Sequence, residues 1–164
     1  MQNDVMTAKT TVDAPADAVF AVLADPASHA AIDGTGWVRE SLDGAMLTAR
    51  GQIFRIAMYH DNLPDGHYEM ANKVVAFDPP HVIAWEPGQD NGEEIEFGGW
   101  IWRYDLTPRG SSRTEVTLTY DWSAVPAYLR EDIAFPPFGR DHLDNSLGHL
   151  ATLAQLSRSG PPAP

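Results

Sequence analysis

Phe138, His142, Asn145 and His149 fall at i, i+4, i+7 and i+11, one continuous stripe if residues Gly139–Leu156 form a helix. Two imidazoles and an amide on one stripe can hold a polar ligand group, and a histidine can move a proton near neutral pH. A metal is not expected. The two histidines are seven residues apart, two turns, too far for the i, i+4 pair that holds zinc on a helix. The sequence has no H-E-x-x-H, no G-x-x-x-x-G-K or G-x-G-x-x-G phosphate loop and no G-x-S-x-G nucleophile elbow. Ser146 precedes Leu147-Gly148, but inside the helical pattern, without the strand and turn an elbow needs. There is no cysteine, which removes disulfides, thiolate metal sites and cysteine nucleophiles together. Glu86, Asp90, Glu93, Glu94 and Glu96 cluster around residues Pro87–Gly98, but Asp90-Asn91-Gly92 does not set acids at the alternating offsets of a calcium loop. This stretch reads as a solvated loop. No cofactor is expected.

The second set of chemistry-bearing residues is aromatic. In residues Gly99–Thr107, alternation puts Trp100, Trp102, Tyr104 and Leu106 on one face and Ile101, Arg103 and Asp105 on the other. In Arg113–Ser123, Val116, Leu118, Tyr120 and Trp122 oppose Glu115, Thr117, Thr119 and Asp121. The charges mark the second faces as solvent. Phe54, Ile56 and Met58 likewise oppose Arg55, while Met70, Asn72 and Val74 alternate with Lys73. The inward set reads either as a packed core or as the wall of a cavity. Tyrosine and tryptophan need hydrogen-bond partners when buried, and a pocket lets ligand or water supply them. The candidate ligand-binding residues are Phe54, Met58, Met70, Trp85, Trp100, Trp102, Tyr104, Tyr120, Trp122, Phe138, His142, Asn145 and His149. The helical four of these lie beside a leucine stripe, Leu143, Leu147, Leu150 and Leu153, so they face either the interior or solvent along its flank.

These residues must be positioned by a run of strands and one long helix. Val5–Val12 reads as a strand, and Ala16–Ala24 as a helix with Val19, Phe20 and Leu23 on one face. Asp25-Pro26 breaks it, and Ala27–Ile32 is a second short helix. Strands are expected over Trp37–Leu42, Ala45–Tyr59, His67–Phe77, His81–Glu86, Gly99–Thr107 and Arg113–Ser123, separated by Asp/Gly/Pro turns. Ala127–Ile133 is a short helical stretch before the terminal helix. The expected fold is α+β: a curved antiparallel sheet of about six to seven strands gripping a long C-terminal helix, with two short helices after the first strand.

At 164 residues the chain is sized for one domain, expected over residues 1–157, with a disordered Ser/Gly/Pro tail over 158–164. Its net charge of −12 argues against nucleic acid and against an anionic membrane surface as partners. No apolar run is long enough to span a bilayer, and no signal-peptide pattern stands at the N-terminus, so a cytoplasmic protein is the expectation.

Several runs resemble the SRPBCC superfamily, the START and Bet v 1-like helix-grip proteins, and within it the polyketide cyclase/dehydrase branch. They are Val12-Asp13-Ala14-Pro15-Ala16-Asp17-Ala18-Val19-Phe20, Leu23-Ala24-Asp25-Pro26, residues Phe77–Trp85, Trp100–Leu106 and Thr117–Trp122, and the final helix. The resemblance implies a ligand cavity between the sheet and the long helix. It carries no universal catalytic motif. The function expected is binding or carriage of a small hydrophobic or amphipathic ligand such as a lipid or polyketide. One alternative is a cyclase or dehydratase in the same cavity, for which Tyr104, Tyr120, His142 and His149 are the inward proton-transfer groups. The other is a protein-interaction domain like the co-chaperone branch, which would use the exposed surface.

Overall fold

A computed structural model describes residues 5–32, 38–42, 46–59, 67–90, 92–128 and 140–159. Strand β1 (Val5–Val12) leads into helix α1 (Ala16–Leu23). Pro15 stands at the N-cap, and its carbonyl accepts from the amides of Ala18 and Val19 at 3.0 and 3.2 Å. Asp17 places its charge in the first turn, where the helix dipole favours an acid. The expected face, Val19, Phe20 and Leu23, is buried. A 3₁₀ turn (Pro26–Ser28) and the four-residue helix α2 (His29–Ile32) follow.

Seven strands form a continuous antiparallel path in the order β1-β8-β7-β5-β4-β3-β2. They are β2 (Val38–Ser41), β3 (Ile53–Tyr59), β4 (His67–Asp78), β5 (Val82–Asp90), β7 (Ile101–Pro108) and β8 (Thr114–Asp121), beside β1. A three-residue strand, β6 (Ile95–Phe97), pairs with β5 off that path. The fold is the expected α+β grip. The stretch from Pro87 to Gly98 differs from its reading as a loop. β5 runs on to Asp90 and pairs with β6 at Gly88, Gln89 and Asp90. Gly88 permits this, since a Cβ there would lie 2.8 Å from the Ile95 and Phe97 side chains. Ala45–Tyr59 also shortens to β3, with residues 46–52 irregular.

Helix α3 (Arg140–Ser159) closes the grip and packs on β1, α1 and α2. It runs three residues beyond the expected end. Its buried stripe is Leu143, Leu147, Leu150 and Ala154, with Ser146 beside it; Ala154 takes the place expected for Leu153. The core unites this stripe with Val12, Phe20, Leu23, Val116 and Leu118. Two polar ties fix the first corner. Thr114 Oγ1 donates to the Ala14 carbonyl at 2.8 Å, and Gln155 Oε1 accepts from the Asp13 amide at 3.1 Å. Of the Ala127–Ile133 helical reading, residues 127 and 128 are helical; the rest lies outside the described residues.

Candidate functional site

The antiparallel register builds the inner face of the sheet. Met6, Tyr120, Trp102, Trp85 and Val74 stand opposite one another across five strands. The next row is Ala8, Leu118, Tyr104, Ile83 and Phe77. The alternating charges are outside, where Arg103 and Asp105 form a salt bridge at 2.9 Å. A register slip of one residue would bury those charges, so the aromatic face is fixed inward.

The rings divide into two runs. In the first, the His29 imidazole stacks on Trp85 with centroids 4.8 Å apart and planes 17° from parallel. Phe54 meets both rings edge-on, at 5.6 and 5.9 Å, and Tyr104 stacks beyond Trp85 at 5.8 Å. In the second, Trp102 packs on Tyr120 at 4.5 Å, Tyr120 on Trp122 at 5.6 Å, and His142 of α3 meets Trp102 edge-on at 5.8 Å. Phe54, Met70, Tyr104, Tyr120 and Trp122 are buried. Met58, Trp85, Trp100, Trp102 and His142 are half-buried. Burial raises the Tyr120 phenol far above its ordinary pKa, so it stays a neutral hydroxyl.

The helical stripe is corrected in part. At 100° per residue, Asn145 lies about 170° from the centre of the buried leucine stripe, and it is exposed. His142 sits about 110° away and reaches Trp102 from the flank. His149 is exposed, and its Nδ1 lies 3.0 Å from the Ile32 carbonyl, tying α3 to α2. Phe138 lies outside the described residues. Trp100 folds back over the preceding turn, where a Cβ on Gly98 would meet its ring at 1.8 Å.

Two buried polar residues beside the rings of the inner face were not among the expected site residues. Asn72, inward by alternation, is 5% exposed, and its Nδ2 lies 3.4 Å from the Phe54 carbonyl. His29 is 8% exposed, with Nε2 2.9 Å from the Leu23 carbonyl. Burial holds its pKa below the usual histidine value, against the weaker opposing pull of that carbonyl and of Asp25. Alternation alone identifies Asn72. A four-residue helix has too little periodicity to identify His29.

A separate cleft of about 290 Å³ opens over β3 and β4, lined by Arg55, Glu69, Met70, Ala71 and Gly92. Of the expected site residues, Met70 lines it. Arg55, Glu69 and Ala71 alternate with the inward set, so this cleft is not the aromatic interior. Among the described residues, no cluster of three His, Asp or Glu is placed to hold a metal ion, and no helix is long and apolar enough to cross a membrane.

A curved antiparallel sheet closed by a terminal helix around an aromatic inner face is the architecture of helix-grip proteins. The chain belongs to the family described as polyketide cyclase / dehydrase and lipid transport, whose model matches residues 4–155. An uncharacterized Mycobacterium tuberculosis protein, Rv0088, is 30% identical over 146 residues, covering 89% of this chain and 59% of that protein. The chain thus spans about three-fifths of the length of the curated relatives it matches. NE0264 from Nitrosomonas europaea shares the fold with a TM-score of 0.69 at 14% identity, over 95% of this chain and 97% of that one. A Thalictrum norcoclaurine synthase mutant, in complex with a transition state analogue, shares it at 0.59 and 17% identity, over 94% and 95%.

Proposed function

We propose that the chain binds a small apolar, ring-containing molecule between the inner face of the sheet and α3. One observation carries this reading. Trp85 stands on the inner face of β5, an interior strand flanked by β4 and β7, yet it is half-buried. A side chain in that place is sealed if the interior is solid, as Leu118 and Ile83 in the adjoining row are. The open side of Trp85, the half-buried Trp102 beside it and the flat walls of both indoles suit a planar or polycyclic ligand.

Binding is favoured over catalysis by the expected proton-transfer groups. Tyr104 and Tyr120 are buried among rings, the Tyr120 phenol is held neutral, and His149 is tied to the Ile32 carbonyl. His142 has its edge on Trp102. Native mass spectrometry of protein purified from its own host tests the reading. A retained small molecule at one per chain is expected, and it is lost in Trp102→Ala. Host-purified protein carrying no small molecule, and taking up none from a host lipid extract, contradicts it.

A further inference from the structure

We propose that the closed end of the grip sets a depth limit on the ligand site, so that the chain takes a compact ring system and excludes a long acyl or prenyl chain. This rests on the binding reading above and names the size class of its ligand. Two contacts of α3 tell the ends of the grip apart. His142, in the first turn of the helix, meets Trp102 edge-on at 5.8 Å. Gln155, near the other end, accepts from the Asp13 amide at 3.1 Å, just past the end of β1. The helix therefore runs from the tryptophan row toward the Val12 end of the sheet.

Exposure falls abruptly along that direction. In the row that crosses Met6, Tyr120, Trp102, Trp85 and Val74, the side chains of Met6, Trp102 and Trp85 are half-buried. One row further in, about 7 Å along the strands, Ala8, Leu118, Tyr104 and Ile83 are buried. Leu118 and Ile83 are 0% exposed. Phe77, at the β4 end of that row, is half-buried and has the Phe20 ring of α1 edge-on against it at 5.3 Å. In the following row Val116 and Leu106 are buried as well. Leu147, Leu150 and Ala154 of α3, with Phe20 and Leu23 of α1, join Leu118, Ile83 and Tyr104 in one buried cluster. Close-packed side chains admit no ligand atom unless one of them is displaced. Tyr104, stacked beyond Trp85 at 5.8 Å, is the stop that a ligand meets first. A flat ring system gains its contact sideways, across Trp85 and Trp102, whereas an extended chain needs depth.

Displacement of bound naphthalene by straight-chain alcohols from hexanol to dodecanol measures that depth. On wild type, affinity should rise about fourfold for each methylene that still enters the site, then level off before dodecanol. In Leu118→Ala, and in the milder Leu118→Val, the levelling should move to a longer alcohol. The wild-type series decides even where a variant does not fold. An unbroken rise to dodecanol overturns the depth limit and leaves the binding site standing. Levelling at the same alcohol in both folded variants does the same, because the chain then stops short of Leu118. Binding of neither naphthalene nor any alcohol overturns the binding reading and the depth limit with it.

Discussion

A buried histidine couples the inner face to pH. The folded-state pKa of His29 lies below the 6.5 of a solvated histidine, chiefly because burial disfavours the cation. Above 6.5 both folded and unfolded chains carry it neutral, and its neutral packing against Trp85 is fully available. Below 6.5 the unfolded chain takes up the proton first, so stability falls as pH drops toward the folded-state value. Asp25 opposes the shift, and the facing rings of Trp85 and Phe54 do not titrate. Glu86 is shifted in the opposite sense, its pKa raised by partial burial against the pull of Lys73. Its contribution is complete below 4.5 and is lost as pH rises through its folded value, so it opposes the His29 trend only where the two windows overlap. Urea unfolding at pH 7 and pH 5 should show wild type losing more stability than His29→Phe over that interval. An identical loss in both proteins would mean that His29 is solvated or already charged in the fold.

At the scale of elements, the sheet faces were legible because charges alternate with apolar residues. Arg103 and Asp105 fix the facing of Trp102 and Tyr104, as Arg55 does for Phe54 and Ile56. The leucine spacing of α3 was legible for the same reason, and it carries a stability prediction. Leu147 is 1% exposed in the main core. Leu147→Ala should cost about 2–5 kcal/mol, a fall in Tm of at least about 4 °C for a domain of this size. A change within error would detach α3 from the sheet. What could not be read were features set by tertiary pairing. Pro87 suggested the end of β5, since proline cannot donate to a ladder. It is tolerated because β5 changes partners there, pairing β7 through Trp85 and β6 from Gly88, so its missing N–H falls at the gap. The site behaved in the same way. Alternation placed Trp102, Tyr104, Tyr120 and Trp122 on one wall, but the polar stripe on α3 could not be phased against the core from spacing alone. Asn145 faces solvent because the leucines, with higher burial gain, set the rotation of the helix.

On the scale of the molecule, the grip presents two kinds of surface. The outside carries the acidic excess behind a net charge of −12, while the described interior holds rings, aliphatics and four buried polar residues, His29, Asn72, Thr114 and Ser146. Such a partition suits uptake of an uncharged apolar molecule from solvent and repels anions before they reach the interior. The most direct test is a nitrogen–proton NMR titration of the tryptophan indoles with naphthalene. The indole signals of Trp85 and Trp102 should shift together and saturate at one ligand per chain, while the backbone amides of Arg103 and Asp105 on the outer face move little. Unmoved Trp85 and Trp102 signals, or shifts confined to the outer face, would contradict an internal binding site.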